Sequence, residues 1–332
     1  MSVFVIAEAG ANHNRDFKQA ISLIDAAKAA GADAVKFQTY TSETLYSRNT
    51  PDFAGYRDIN KLIKDIELPR EWQKHLKFYC DEVDIEFMST PFDEKAVDEL
   101  VALGVKRLKI SGFESTDPRF VRMVASAGLP IIVSAGIGSN ILSINNIISW
   151  IKLEQKDPDI TILHCNNAYP TPERDINLSR IDNIKHCYPE VKVGLSDHTE
   201  GILASPLAVA KGATCIEKHY TLSKSLPGPD HAFALEPNEL LEMVRLIRST
   251  ENMCKDTDSP LTESESRFSK AMRSVVASGK IKKGDRFSLS NTTTKRPFLP
   301  GNVHASGYYK LIGKIAEKDF EEDDFIPGGN TL

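Results

Sequence analysis

Two short runs in the chain end on side chains that do chemistry. Residues 193–199 read VGLSDHT and residues 215–221 read CIEKHYT. Each opens like a buried strand. The first then meets Ser196, Asp197 and His198, the second Glu217, Lys218 and His219. An apolar strand has no use for such an ending unless the ending faces a pocket. If the two runs are neighbouring strands, about 4.8 Å apart, His198 and His219 can share one ion, since imidazole suits Mn, Zn, Fe or Ni. The other reading of the same pair is two hydrogen-bonded structural histidines. Asp197 beside them either orients a ligand from behind or caps the loop.

Two lysines interrupt apolar runs, Lys36 in AVKFQ and Lys109 in RLKIS. An unpaired ammonium is costly to bury, so each is expected to point into a polar pocket and neutralise an anion. A Schiff-base lysine of aldolase type is the alternative. Glu8 closes the first apolar run just ahead of ANHN. It is open to pairing with a buried lysine, to capping the loop or to a role in the chemistry.

These residues need elements to hold them. Eight apolar runs rich in Val, Ile and Phe start at Val3, Ala34, Ile85, Arg107, Pro130, Ile160, Lys192 and Cys215, with helical patterns between them. The first intervening segment carries Phe17, Ile21, Ile24 and Ala27 on one face and stops at Gly31; Gly104, Gly128 and Gly212 mark similar stops. Eight βα units in about 250 residues is the size of a (β/α)8 TIM barrel. An open doubly wound sheet is the structural alternative, but it calls for a glycine-rich turn after the first strand, where this chain has AEAGANHN. In a barrel the carboxyl ends of the strands converge on one site. Glu8, Lys36, Gln38, Thr90, Lys109, Glu114, Ser134, Asn167, Ser196, His198, Glu217 and His219 all occupy such ends.

At 332 residues, the chain is long for one core. After Arg248 the pattern turns polar, then gives brief apolar runs broken by Gly, Pro and charge. The expected division is a barrel over 1–255, a linker over 256–273 with a short helix near Glu263, and a small β-rich domain over 274–332. A net charge of −5 argues against nucleic acid or an anionic membrane as partner, and no apolar stretch is long enough to span a bilayer. Five scattered cysteines without a C-x-x-C, and a start without a leader pattern, point to a reducing cytoplasm.

The motifs IAEAGANHN, GADAVKFQTY, STPF, HCNNAYPTP, GLSDHT, IEKHYT and PGPDH, followed by KKGD and TKRP in the tail, together resemble the sialic acid synthase family with its C-terminal antifreeze-like (SAF) domain. That resemblance implies condensation of phosphoenolpyruvate with N-acetylmannosamine or a related acetamido-hexose, by C–O cleavage with loss of phosphate. It implies a divalent cation on His198 and His219, commonly manganese, with magnesium or cobalt as substitutes. Lys36, Thr90, Lys109, Ser134, Asn167 and Ser196 would bind phosphoenolpyruvate. Glu8 would contact the sugar aldehyde and take part in proton transfer. Gln38, Tyr169, Asp230 and the tail's Arg296 would hold the sugar, with Arg296 supplied across a domain-swapped homodimer.

One departure concerns the fourth run. The family usually has G-S-G after its lysine, whereas Lys109 is followed by Ile110-Ser111-Gly112-Phe113-Glu114, which is closer to the pseudaminic acid branch. Synthases of N,N'-diacetyllegionaminic and pseudaminic acid are therefore the alternatives of the same chemistry. From another class, a non-catalytic glycan- or ice-binding protein is disfavoured by the charged KIAEKDFEEDDF segment.

Overall fold

The structure is a computed structural model describing residues 2–52, 57–255 and 259–328. Residues 256–258 of the expected linker and 329–332 of the expected tail lie outside the described residues, as do Met1 and 53–56 of the barrel. The chain divides into two compact units, Met1–Lys255 and Asp256–Leu332.

The first unit holds eight parallel strands: β1 Phe4–Gly10, β2 Ala34–Thr39, β3 Glu86–Pro91, β4 Leu108–Ile110, β5 Ile131–Ala135, β6 Ile160–Cys165, β7 Lys192–Asp197 and β8 Cys215–His219. Their order is β3-β2-β1-β8-β7-β6-β5-β4, so β1 and β8 pair and the sheet curls back on itself as a TIM-type barrel. Among the described residues no ladder joins β3 to β4. Each expected run forms a strand. The fourth is cut to three residues because the Ser111 hydroxyl accepts the N–H groups of Phe113 and Glu114 and turns the chain into the 3-10 helix Glu114–Thr116. Glu114 therefore does not close a strand, contrary to the sequence reading.

Several of the helices between strands form where the sequence supplies both a cap and an apolar stripe. In helix Phe17–Ala29, Asp16 accepts from the N–H groups of Lys18 and Gln19. Ala20, Leu23, Ile24 and Ala27 are buried there, while Phe17 and Ile21 pack only partly covered at the edge. Gly31 follows with φ 78°, a left-handed conformation that glycine adopts without a Cβ penalty.

Strand alternation decides which side chains enter the barrel. One parity, including Val5, Val35, Ile162, Leu195 and Ile216, packs between sheet and helices. The other fills the barrel with Ile6, Ala34, Met88, Ile132, Leu163 and Cys215. Two residues onward from each of these, on the same face, stand Glu8, Lys36, Thr90, Ser134, Cys165 and Glu217. An apolar plug thus carries a polar layer at the carboxyl mouth. Gly194 allows β7 and β8 to approach at the level of the plug, since a Cβ on it would meet the Cys215 carbonyl oxygen at 2.1 Å.

In the second unit, β9 Ser274–Ala277 and β10 Thr292–Lys295 pair antiparallel over a small core of Val275, Ile281, Phe287, Val303, Phe320 and Ile326. Two four-residue helices accompany them, Glu263–Ser266, capped by Thr262, and Tyr308–Leu311. No described helix is long and apolar enough to cross a membrane.

Candidate active site

The polar layer closes around a cavity of about 40 Å³ at the carboxyl mouth. Of the sequence-predicted residues, Glu8, Lys36, Gln38, Thr90, Lys109, Ser134, Asn167, Tyr169, Ser196, His198 and His219 line it. Asp230 sits beside it, Oδ2 lying 3.7 Å from His219 Nδ1. Arg296 lies exposed just after β10 in the second unit and is not among the lining residues.

Two lysines and two carboxylates form the floor. Lys36 Nζ lies 2.8 Å from Glu8 Oε2 and donates to Thr90 Oγ1 at 2.7 Å. Lys109 Nζ donates to Ser134 Oγ at 2.8 Å and lies 3.4 Å from Glu217 Oε1. Glu217 also lies 3.8 Å from Lys36 and accepts from Ser196 Oγ at 3.2 Å. All four charged groups are buried, so each depends on the others for compensation. Burial penalises the Lys36 ammonium, yet Glu217 and Glu8 outweigh it and hold its pKa above the ordinary lysine value. Burial would raise Glu217 too, but Lys109 and Lys36 keep it below the usual carboxylate range. For Glu8 burial wins, reinforced by the like charge of Glu217, and its pKa is raised despite Lys36. Gln38 Nε2 donates to Glu8 Oε1 at 2.8 Å and fixes the carboxyl plane.

Above this floor stand the histidines, ring centroids 5.4 Å apart. His198 Nδ1 faces the Asn166 carbonyl at 2.6 Å. With that nitrogen donating, Nε2 is left as the lone-pair donor. His219 Nδ1 is buried without a hydrogen-bond partner. Burial lowers the His198 pKa to about 4 and that of His219 well below the ordinary value, so both rings are neutral. Tyr169 covers His198 at 4.2 Å and Phe233 packs on His219 at 5.3 Å.

Two neutral imidazoles, one with an orphaned buried nitrogen, fit a divalent cation. Among the described residues no group of three or more His, Cys, Asp or Glu side chains is arranged as a metal site. The remaining ligands would therefore be oxygens of water or substrate, a shell suited to a hard ion such as Mn²⁺ or Mg²⁺.

One oxygen of Asp197 caps the loop. Its Oδ1 accepts from the Thr199 N–H at 2.9 Å and hydroxyl at 2.7 Å. Gly112 and Gly136 make room for Asn167, whose Oδ1 accepts from the Ile137 N–H at 2.7 Å. A Cβ on either glycine would meet Asn167 Oδ1, at 2.7 and 1.9 Å, so a serine at 112 is incompatible with this Asn167 placement. Ser111 lines the cavity instead, its hydroxyl donating to Glu114.

Sequence reasoning set Glu217 among the strand ends that face the site but assigned it no partner, and it passed over Cys165. Cys165 lies 3.9 Å from His198 Nδ1, its thiol pushed up to about 11 by burial and so neutral. A larger cavity of about 160 Å³ opens at the opposite mouth. There Arg107 is already paired with Glu86 and Lys192 with Asp159, so it offers no free charge to a ligand.

The family model described as NeuB family matches residues 23–259, and the SAF domain model matches 272–329. An N,N'-diacetyllegionaminic acid synthase of Campylobacter jejuni is 38% identical over 97% of this chain and 98% of its own. A pseudaminic acid synthase from another strain of that species is 38% identical over 98% and 95%. Among solved structures, the N-acetylneuraminic acid synthetase of Leptospira borgpetersenii, in complex with citrate, superposes with a TM-score of 0.74. It is 35% identical and covers 81% of this chain and 90% of its own.

Proposed function

Because the chain belongs to the NeuB family, we propose that it is a nonulosonic acid synthase condensing phosphoenolpyruvate with an acetamido-hexose. The observation that supports this most is the convergence of Lys36 and Lys109 beside a neutral histidine pair in one barrel mouth. The lysines, with Thr90, Ser134, Asn167 and Ser196, bind the phosphate and carboxylate of phosphoenolpyruvate. On arrival that anion takes over the compensation that Glu8 and Glu217 give the lysines in the free chain.

His198 and His219 would hold the divalent cation, which when bound supplies Lewis-acid polarisation of the sugar aldehyde. Glu8, held by Gln38 and raised in pKa by burial, carries a proton at its carboxyl oxygen for the aldehyde oxygen as negative charge develops there. C3 of phosphoenolpyruvate attacks the aldehyde carbon, water adds at C2, and the C2–O bond breaks to release phosphate. The lysines stabilise the phosphate throughout. Tyr169 and Asp230 flank the histidines where the sugar enters.

N-acetylmannosamine is the first acceptor reading. The 38% identity to the two Campylobacter relatives over nearly the whole chain favours, as a second, the 6-deoxy diacetamido-hexoses of the legionaminic and pseudaminic branches. The SAF domain is proposed to act across a domain-swapped homodimer, with Arg296 donating to the N-acetyl carbonyl in the partner's site. All five cysteines are free, which suits work in a reducing cytoplasm.

Phosphate release from phosphoenolpyruvate, followed with each acetamido-hexose in turn and with Mn²⁺ present, tests the proposal. Release is expected only with an acceptor, and the ratio of kcat/KM values assigns the sugar. Acceptor-independent release, or none with any of the three sugars, contradicts it.

A further inference from the structure

The polar layer facing into the barrel has a charged counterpart facing out. Asp197 and Lys218 directly precede His198 and His219, so strand alternation sends their side chains to the opposite face of the sheet. They are register partners on β7 and β8, with relative exposures of 0% and 1%. Asp197 Oδ2 lies 3.1 Å from Lys218 Nζ and accepts from Ser205 Oγ at 2.8 Å, on helix Ala204–Ala210. Asp197 Oδ1 is filled by Thr199, whose carbonyl in turn accepts from Lys218 Nζ. The loop is tied back as well, since the Thr171 N–H donates to the His198 carbonyl at 2.8 Å.

Stability alone is a poor reason for this pair. A buried ion pair is often no better than well-packed apolar residues of similar volume, and what it adds is fixed geometry. Here it fixes the ends of the two strands that carry the histidines, one residue before each ring. We propose that the Asp197–Lys218 pair is a positioning device that holds His198 and His219 at the separation a shared divalent cation requires. This rests on the metal reading of the preceding section.

The test is Mn²⁺ binding to the full-length chain, read from the free-ion electron paramagnetic resonance signal, with thermal melts run alongside. Lys218→Met alone leaves Asp197 buried without its cation and can fail to fold. The informative variant is therefore Asp197→Leu with Lys218→Met, which replaces the pair by apolar bulk. A merely structural pair predicts a folded double variant with unchanged affinity. A positioning pair predicts a folded variant whose Mn²⁺ dissociation constant rises about 10-fold, the low end of what is lost with groups bonded directly to metal ligands, because this pair acts through the backbone one residue before each ring. Ser205→Ala removes one hydrogen bond to Asp197 and strands no charge. A rise of a few fold there supports the proposal even if the double variant is insoluble, and an affinity unchanged from wild type overturns it. If the wild-type chain binds no Mn²⁺, the metal reading falls and the inference with it. If wild type binds and a folded double variant binds equally well, the inference alone falls.

Discussion

Replacing His219 with alanine is expected to abolish acceptor-dependent phosphate release, by at least about 10³-fold, because Lewis-acid stabilisation is worth several kcal/mol and each 1.36 kcal/mol is tenfold in rate. The variant keeps one neutral imidazole, that of His198, and loses the ring packed between Tyr169 and Phe233. The measurement that separates lost chemistry from lost fold is chelation followed by add-back. Chelated wild type should be inactive and recover with Mn²⁺, whereas the folded variant should not recover at any Mn²⁺ concentration that saturates wild type. Full activity in chelated wild type would remove the cation from the reaction and revive the Schiff-base reading of Lys36 or Lys109, which borohydride trapping would then detect.

The second large effect concerns Arg296, which follows β10 exposed to solvent. Mixing an Arg296→Ala subunit with a His219→Ala subunit, each inactive as a homodimer, is expected to restore about half the wild-type activity per dimer if sites are independent. With the SAF domain serving the partner, a mixed dimer has one site with both defects and one with neither. With the domain serving its own barrel, every site carries one defect and nothing returns. An Arg296→Ala homodimer that is nearly fully active would instead mark a surface arginine contributing less than about 1 kcal/mol.

The eight strands were legible because a βα repeat writes its period into the chain, and the polar lining of the candidate site was legible because barrel alternation stacks polar residues two positions beyond apolar ones. Ile6 to Glu8, Ala34 to Lys36 and Ile132 to Ser134 follow that rule. Side-chain partnerships were not legible. That Glu217 lies between Lys36 and Lys109, or that Tyr169 covers His198, depends on rotamers set by residues far apart in sequence. The early end of β4 depended on one serine hydroxyl capturing backbone N–H groups, a local competition that apolar patterning does not register. Asp197 carried two readings in sequence, and the partners around it, Thr199 on one oxygen and Ser205 and Lys218 on the other, could not be read from its place in the chain.

The central claim is that this barrel mouth joins phosphoenolpyruvate to an aldehyde and breaks the C–O bond of the enol phosphate. Phosphoenolpyruvate labelled with heavy oxygen at the position bridging C2 and phosphorus, incubated with the chain, Mn²⁺ and the acceptor sugar, reports on it directly by mass spectrometry of both products. The predicted result is one phosphate per 2-keto acid, with the label in the phosphate. Label retained in the sugar acid would mean cleavage on the phosphorus side and would contradict attack of water at C2.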